Sequence, residues 1–473
     1  METTGKSPDS ESTYILKDKS PSQDSGHTSH MTDDSRHLVE PESDKKKIQS
    51  NIPFTSFNFI NSIVGSGIIG IPYAINQAGF GLGILLLVLV AVVTDCSVLM
   101  LIEAGYITGL TSYQDVVRTA MGKPVFYILT LLQFTYPFIA MVSYNVIIGD
   151  TITRLFVRIG GESLSNTVLG NRQFVILLVT LVITLPISLY KNIARLSKWA
   201  FLSIFLVLVI LVMVLIRIPD FAQTIPTTAD SFTFARPNVT QAIGIMAFAF
   251  MCHHNVFLIH ASLENNTSKR WKIVTHSSFI VSLVIMMVIG VAGYVTFKTY
   301  TQGDLLESYC HRDDLANTGR FLFAVTIMLT YPIECFVTRE VVELSLFASR
   351  QPSPTLRHIA VTVTIAILAA ALSITTDCLG IVLEFNGVLV ASPLAFVIPS
   401  ILVIKLRGEP YFSWRNVVPT LVFLFGVFVS VVGTVMAIMN VVQSNTCNHG
   451  AEPVYCYPEV GRNHTVPYFS YSV

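Results

Sequence analysis

Past a polar opening stretch, the chain is a succession of long apolar runs interrupted by short polar steps. Runs of about 20 apolar residues match the thickness of a bilayer core. Eleven spans are predicted, near 54–76, 82–105, 125–153, 173–190, 196–216, 238–261, 273–297, 318–347, 356–376, 379–404 and 416–441. Lipid offers no partner to a free peptide group, so each span is predicted to be helical. The pair 356–376 and 379–404 is parted only by Thr376-Asp377-Cys378. A fused re-entrant element there would give ten spans and move the C-terminus to the other side. The predicted organisation is a disordered cytosolic tail over 1–50, a transmembrane domain over 51–441 and an extracellular or lumenal tail over 442–473. The first segment is rich in Ser, Thr, Asp, Glu and Lys and cannot bury enough apolar surface to fold.

Composition agrees with this pattern. Charged residues make up 13% and hydrophobic residues 52%, with a mean hydropathy of +0.61. A soluble domain carries roughly 25% charge. The formal net charge is zero, and no long basic run offers a surface for nucleic acid. The seven cysteines show no metal spacing. No nucleophile elbow or metal motif is visible, so neither an enzyme nor a resident cofactor is expected. The first 50 residues lack an apolar core, so the first span is expected to act as its own insertion signal. With the N-terminus in the cytosol, most of the 30 Lys and Arg residues fall on the cytosolic side, as orientation rules prefer. The sequons at Asn463 and Asn238 then face outward, and Cys447 and Cys456 are in position to pair there.

Polar residues inside the spans carry the candidate chemistry. The first span reads Phe57-Asn58-Phe59-Ile60-Asn61-Ser62-Ile63-Val64-Gly65-Ser66-Gly67-Ile68-Ile69-Gly70-Ile71-Pro72. Unwinding at Gly65-Ser66-Gly67 would free N–H groups at the start of a second half-helix. With its dipole, those groups suit a carboxylate, and the freed carbonyls suit a cation. Close helix packing through small residues is the competing explanation. Asn58 and Asn61 share one helix face, where either lines a pathway or bonds a neighbouring helix.

A second break is predicted in the sixth span, over Gly244 to Asn255, which contains Phe250, Cys252, His253 and His254. Adjacent histidines in mid-membrane need a cavity or partners. Spans 1 and 6 occupy matching positions of two five-helix halves, as inverted-repeat transporters require. Span 8 carries Thr326 and Thr330 one turn apart, with Pro332 releasing a carbonyl. These oxygens either hold a small cation or bond within their own helix. Glu334, Glu384 and Asp95 fall in or at the edge of the membrane.

These motifs resemble those of the sodium-coupled neutral amino acid transporters, within the amino acid and auxin permease group. The resemblance covers about residues 53–441. Its most specific part is Asn61 to Ile68, followed by Pro72-Tyr73-Ala74; Phe248 to His253 and Arg320…Thr330-Tyr331-Pro332 add to it. It implies an all-α polytopic membrane protein with about eleven helices: a LeuT-like 5 + 5 inverted repeat plus one helix. It also implies sodium-coupled transport of small neutral amino acids, sometimes with proton exchange. The implied sodium ligands are Asn61, the Val64 carbonyl, Thr330 and the Thr326 carbonyl. The substrate is then expected at Gly65, Ser66, Gly67, Phe250, Cys252, His253 and His254. A monomer in the plasma membrane is expected. Two departures keep alternatives open. The loop between spans 5 and 6 is short and has no cysteine, and Cys252-His253-His254-Asn255 is closer to vacuolar exporters of the group. Proton-coupled export from a lysosomal or endosomal membrane, with a histidine titrating, is one alternative. An amino acid sensor signalling through residues 1–50 is another.

Overall fold

The computed structural model describes residues 50–190, 200–347, 353–376, 378–410, 413–442 and 452–456. The expected disordered tail, Asn463 and Cys447 lie outside them. The described residues are helical, and their only bridge of strand type joins Ser50 to Leu263. In order the main helices are α1 (Ile52–Ile63), α2 (Ile71–Ala78), α3 (Phe80–Thr108), α4 (Tyr113–Met121), α5 (Lys123–Gly160) and α6 (Arg172–Ser188). Then come α7 (Ala200–Thr224), α8 (Val239–Ala249), α9 (Val256–Ser262), α10 (Ser268–Phe297), α11 (Asp314–Leu346), α12 (Thr355–Ile374), α13 (Leu379–Arg407) and α14 (Val417–Val442).

Among the described residues, eight helices are long and apolar enough to cross a bilayer, or nine if α1 and α2 together form one bent span. The shorter apolar helices α6 and α8 stand where the fourth and sixth spans are predicted, so helix length alone does not establish a count of eleven. α12 and α13 are separate helices, each long and apolar enough to span, which favours two spans over the fused element. Leu85, Val92, Leu131, Phe205 and Val431 are each more than half exposed. Such a belt of bare apolar side chains fits lipid rather than water.

Local chemistry sets the helix ends. The Asn51 side chain accepts from the Phe54 N–H, and Pro53 sits in the first turn, where its missing donor costs nothing. Ser112, Thr267 and Asp313 cap α4, α10 and α11 in the same way. α3 ends at Gly109, whose φ of 70° suits glycine best.

The face on which α1 begins is called here the near face, and the opposite one the far face. On the far side the helices approach to backbone contact. A Cβ on Gly387 of α13 would stand 1.8 Å from the Gly244 carbonyl of α8, and one on Gly67 would stand 2.6 Å from the Ala249 Cα. Only glycine permits these approaches. The far-face loop after α10 folds over this junction, and Gly303 packs on Gly380 of α13. The buried Arg320 guanidinium holds the loop by donating to the carbonyls of Leu306 and Tyr309.

The cysteine pairing differs from expectation. Cys456 is bonded to Cys310 in that loop, not to Cys447, with Cα atoms 5.5 Å apart. The reason is packing: the Tyr455 hydroxyl donates to the Ser308 carbonyl, and its ring lies against Phe297 and Tyr300. The His311 N–H donates to Glu452 at 3.0 Å. These contacts bring residue 456 to residue 310 across 146 positions, which the spacing of cysteines along the chain does not reveal. Peptide mapping without reduction should recover a linked Cys310–Cys456 peptide; a Cys447–Cys456 peptide would overturn the pairing. For the packing, Gly387→Ala should destabilise the folded protein by about 1–3 kcal/mol, as overpacking does. A melting temperature equal to wild type in detergent would show that the two helices are not in backbone contact.

Candidate functional site

Both predicted breaks are present. α1 stops at Ile63, and Val64 leaves helical geometry (φ −82°, ψ 80°), which turns its carbonyl out of the ladder. Gly65 is extended, the chain resumes as a tight turn over Ser66–Gly70, and α2 follows at 51° to α1. The N–H groups of Ser66 and Gly67 open this second half, where a helix has donors without internal partners. In the sixth span, α8 ends at Ala249 and the chain is unwound from Phe250 to Asn255 before α9. Asn255 joins the two breaks: its side-chain amide donates to the Ser62 hydroxyl at 3.1 Å.

The residues of the second break divide. His254 and Asn255 line a cavity of about 290 Å³ together with Ser112, Gln133, Phe336 and Glu340. This cavity reaches the near face, between the starts of α4 and α5 and the ends of α9 and α11. His254 lies against Tyr136, ring centroids 5.2 Å apart. Phe250, Cys252 and His253, also expected against a substrate, lie elsewhere than in the wall of this cavity. The Phe250 ring stacks on Phe279 of α10, and His253 is fully buried, with Nε2 3.2 Å from the Ser97 hydroxyl of α3. Cys252 is fully buried too and does not line the cavity. A turn of unwound chain points successive side chains in different directions, so adjacency in sequence does not give a shared wall.

In α11 the Thr330 hydroxyl donates to the carbonyls of Thr326 (3.2 Å) and Ile327 (3.1 Å), and Thr326 donates to Leu322. Both threonines therefore bond within their own helix. A hydroxyl that donates keeps its lone pairs, so Thr330 remains able to face a cation. Pro332 sits inside a continuous helix and does not break it. α1 and α11 make at most glancing contact. Span 1 and span 8 meet through α5, where the Tyr144 phenol lies by the hydroxyls of both Ser66 and Thr330.

The sequence reading did not assign several groups found here. Tyr136 donates to the Phe248 carbonyl at 3.2 Å, satisfying a peptide group beside the second break. Asn386 of α13 donates to the Tyr136 carbonyl at 3.1 Å. Glu334 lies one turn from Thr330, on the face of α11 that continues to the cavity-lining Val337 and Val341. Among the described residues, Asn61 Oδ1, Asn386 Oδ1 and Glu334 Oε2 are buried without a hydrogen-bond partner. The signal for all of them was polarity inside an apolar span. Buried oxygens of this kind cost free energy unless something engages them. A sodium ion at Asn61, and the ammonium of an amino acid near the others, would fit that donor set.

Comparison with known proteins gives the family and the fold. The family described as "Transmembrane amino acid transporter protein" matches residues 49–441. The chain is 46% identical over 407 residues to "Putative sodium-coupled neutral amino acid transporter 11" of Danio rerio, covering 86% of this chain and 90% of that one. It is 29% identical over 436 residues to "Vacuolar amino acid transporter 2" of Saccharomyces cerevisiae, covering 89% and 90%. The solved structure of MhsT in complex with L-phenylalanine superposes with a TM-score of 0.53 at 14% identity, covering 83% of this chain and 100% of that one, a likeness of fold alone. With two broken helices at the matching positions of a LeuT-like fold, this integral membrane protein belongs to the transmembrane amino acid transporter family and is a transporter, not an enzyme.

Proposed function

We propose that the chain couples the downhill movement of sodium to the transport of small neutral amino acids across the plasma membrane. The observation that carries this reading is the buried, unpartnered Asn61 oxygen one turn before the break, beside carbonyls turned out of the helix. The Danio rerio relative, named as sodium-coupled, supports the choice of ion. The substrate carboxylate sits on the N–H groups of Ser66 and Gly67, and Tyr144 completes that end. Sodium is held by Asn61, the Val64 carbonyl, Thr330 and the Thr326 carbonyl. The energetics suffice: one sodium ion crossing about 60 mV gains about 1.4 kcal/mol. A tenfold gradient adds about as much again, enough together for roughly 100-fold accumulation of a neutral substrate.

One observation favours a second reading. His254 faces the near-side cavity, where water can bring it a proton, and the yeast relative is named as vacuolar. Under that reading a proton drives exchange or export at an acidic organelle, with sodium uninvolved.

Sodium dependence separates the two. Asn61→Ala and Thr330→Ala should each raise the sodium concentration for half-maximal transport about tenfold, equivalent to about 1.4 kcal/mol. The double variant should cost less than the sum if both residues hold one ion. Flux in proteoliposomes, with melting temperature as a control on folding, measures this. Variants that fold and keep the wild-type sodium dependence would remove the site.

A further inference from the structure

Glu384 is a second feature of the far side, away from the cavity and the sodium ligands. It is fully buried in α13, between Gly380 and Gly387 on the face that packs against α2 and α8. Its carboxylate joins three further elements. Oε2 accepts from the Gln241 amide of α8 at 2.8 Å. Oε1 accepts from the Asn440 amide of α14, the helix outside the repeat, at 3.5 Å. The Tyr73 phenol of α2 lies beside Gln241 and within the field of the carboxylate. Tyr73 is the titratable group facing it from α2; α8 and α14 present only amides. Among the described residues, no lysine, arginine, histidine or second carboxylate from these helices or from α5 acts on it.

An ionised carboxylate needs a cation or water when buried, and two amides replace neither fully. The packing around Glu384 is that of a closed half: α8 and the loop at Gly303 each approach α13 backbone to backbone, and the Tyr73 ring of α2 packs on Gly380. The open cavity lies at the other face. In a fold whose sides open in turn, separating α2 and α8 from α13 would expose this carboxyl to far-side water.

We propose that Glu384 is a proton-binding site that governs closure of the far side: it takes a proton as α2 and α8 close on α13, and loses it when they part. The sign follows from linkage. The open, wet state favours the carboxylate and the closed, dry state the neutral acid, so the closed state holds more protons. Acid on the far side therefore favours closure, by at most about tenfold per pH unit for one proton. The proton does not cross the membrane here, because Glu384 remains sealed while the near side is open. It acts as a sensor of the far compartment, and α14 takes part through Asn440.

Hydrogen exchange on the full-length protein in lipid nanodiscs tests this, with neither sodium nor amino acid present. Exchange in residues 71–78 and 239–249 is followed from about pH 5 to about pH 8, corrected for the intrinsic pH dependence of exchange. Wild type should gain protection as pH falls. Glu384→Gln, a permanent neutral mimic, should be protected throughout with no pH response. Gln241→Leu removes a donor to the carboxylate, so its transition should move to higher pH; this variant serves if the first does not fold. A wild type without pH response, or a Glu384→Gln variant that keeps it, overturns the proposal. The inference rests on the transporter reading only for the alternation of open sides. Failure of sodium coupling would leave it standing, and a silent pH response would leave sodium coupling standing.

Discussion

A peptide group in the bilayer core has no water to turn to, and this fold leaves two stretches of chain unwound there. The constraint is met by burial within protein. Ser66 to Gly70 and Phe250 to His253 are all buried, shielded by α3, α5, α10 and α13. Irregular backbone at membrane depth is tolerated only under such cover. Much of the remaining architecture serves it: glycines that let α8 and α13 touch, Tyr136 donating to the Phe248 carbonyl, and Asn386 holding Tyr136 in turn. Under the proposed function the cost of unwinding is offset, because the groups that cannot be satisfied within the helix are the ones offered to ion and substrate.

The breaks themselves were legible in the sequence. Gly65-Ser66-Gly67 after Asn61, and paired histidines inside an apolar run, are too unfavourable in an ordinary membrane helix to be incidental. The span pattern was legible for the same reason, since lipid demands a long uninterrupted apolar run. Facing was not. α3 and α10 are apolar on nearly every side, so periodicity gives no direction, and within the unwound turn it has no meaning at all. The sequence therefore does not reveal that Phe250 packs on α10 and His253 on α3. Tyr144, Asn386 and Glu334 went unassigned because a polar residue in a span announces a partner without saying which. The Cys310–Cys456 bond depends on aromatic packing of Tyr455, a contact 146 residues apart in the chain.

The two faces of the molecule are chemically unequal. The far side is closed by backbone contact, by the Arg320-anchored loop, and by the segment 452–456 stapled to it. The near side holds the cavity, with His254 and Glu340 on its wall and Glu334 between it and Thr330. Under the proposed sodium coupling, a path lined in this way would offer the ion oxygen ligands on its way to the near face. The same path would deliver a proton to His254, so the choice of coupling ion turns on which group senses the gradient.

That choice is measured most directly by uptake of radiolabelled neutral amino acids into proteoliposomes, with sodium and pH gradients imposed separately. Sodium coupling predicts accumulation driven by an inward sodium gradient, increased by an inside-negative potential and absent when sodium is replaced on both sides. Accumulation that persists without sodium and collapses when a pH gradient is dissipated would contradict it.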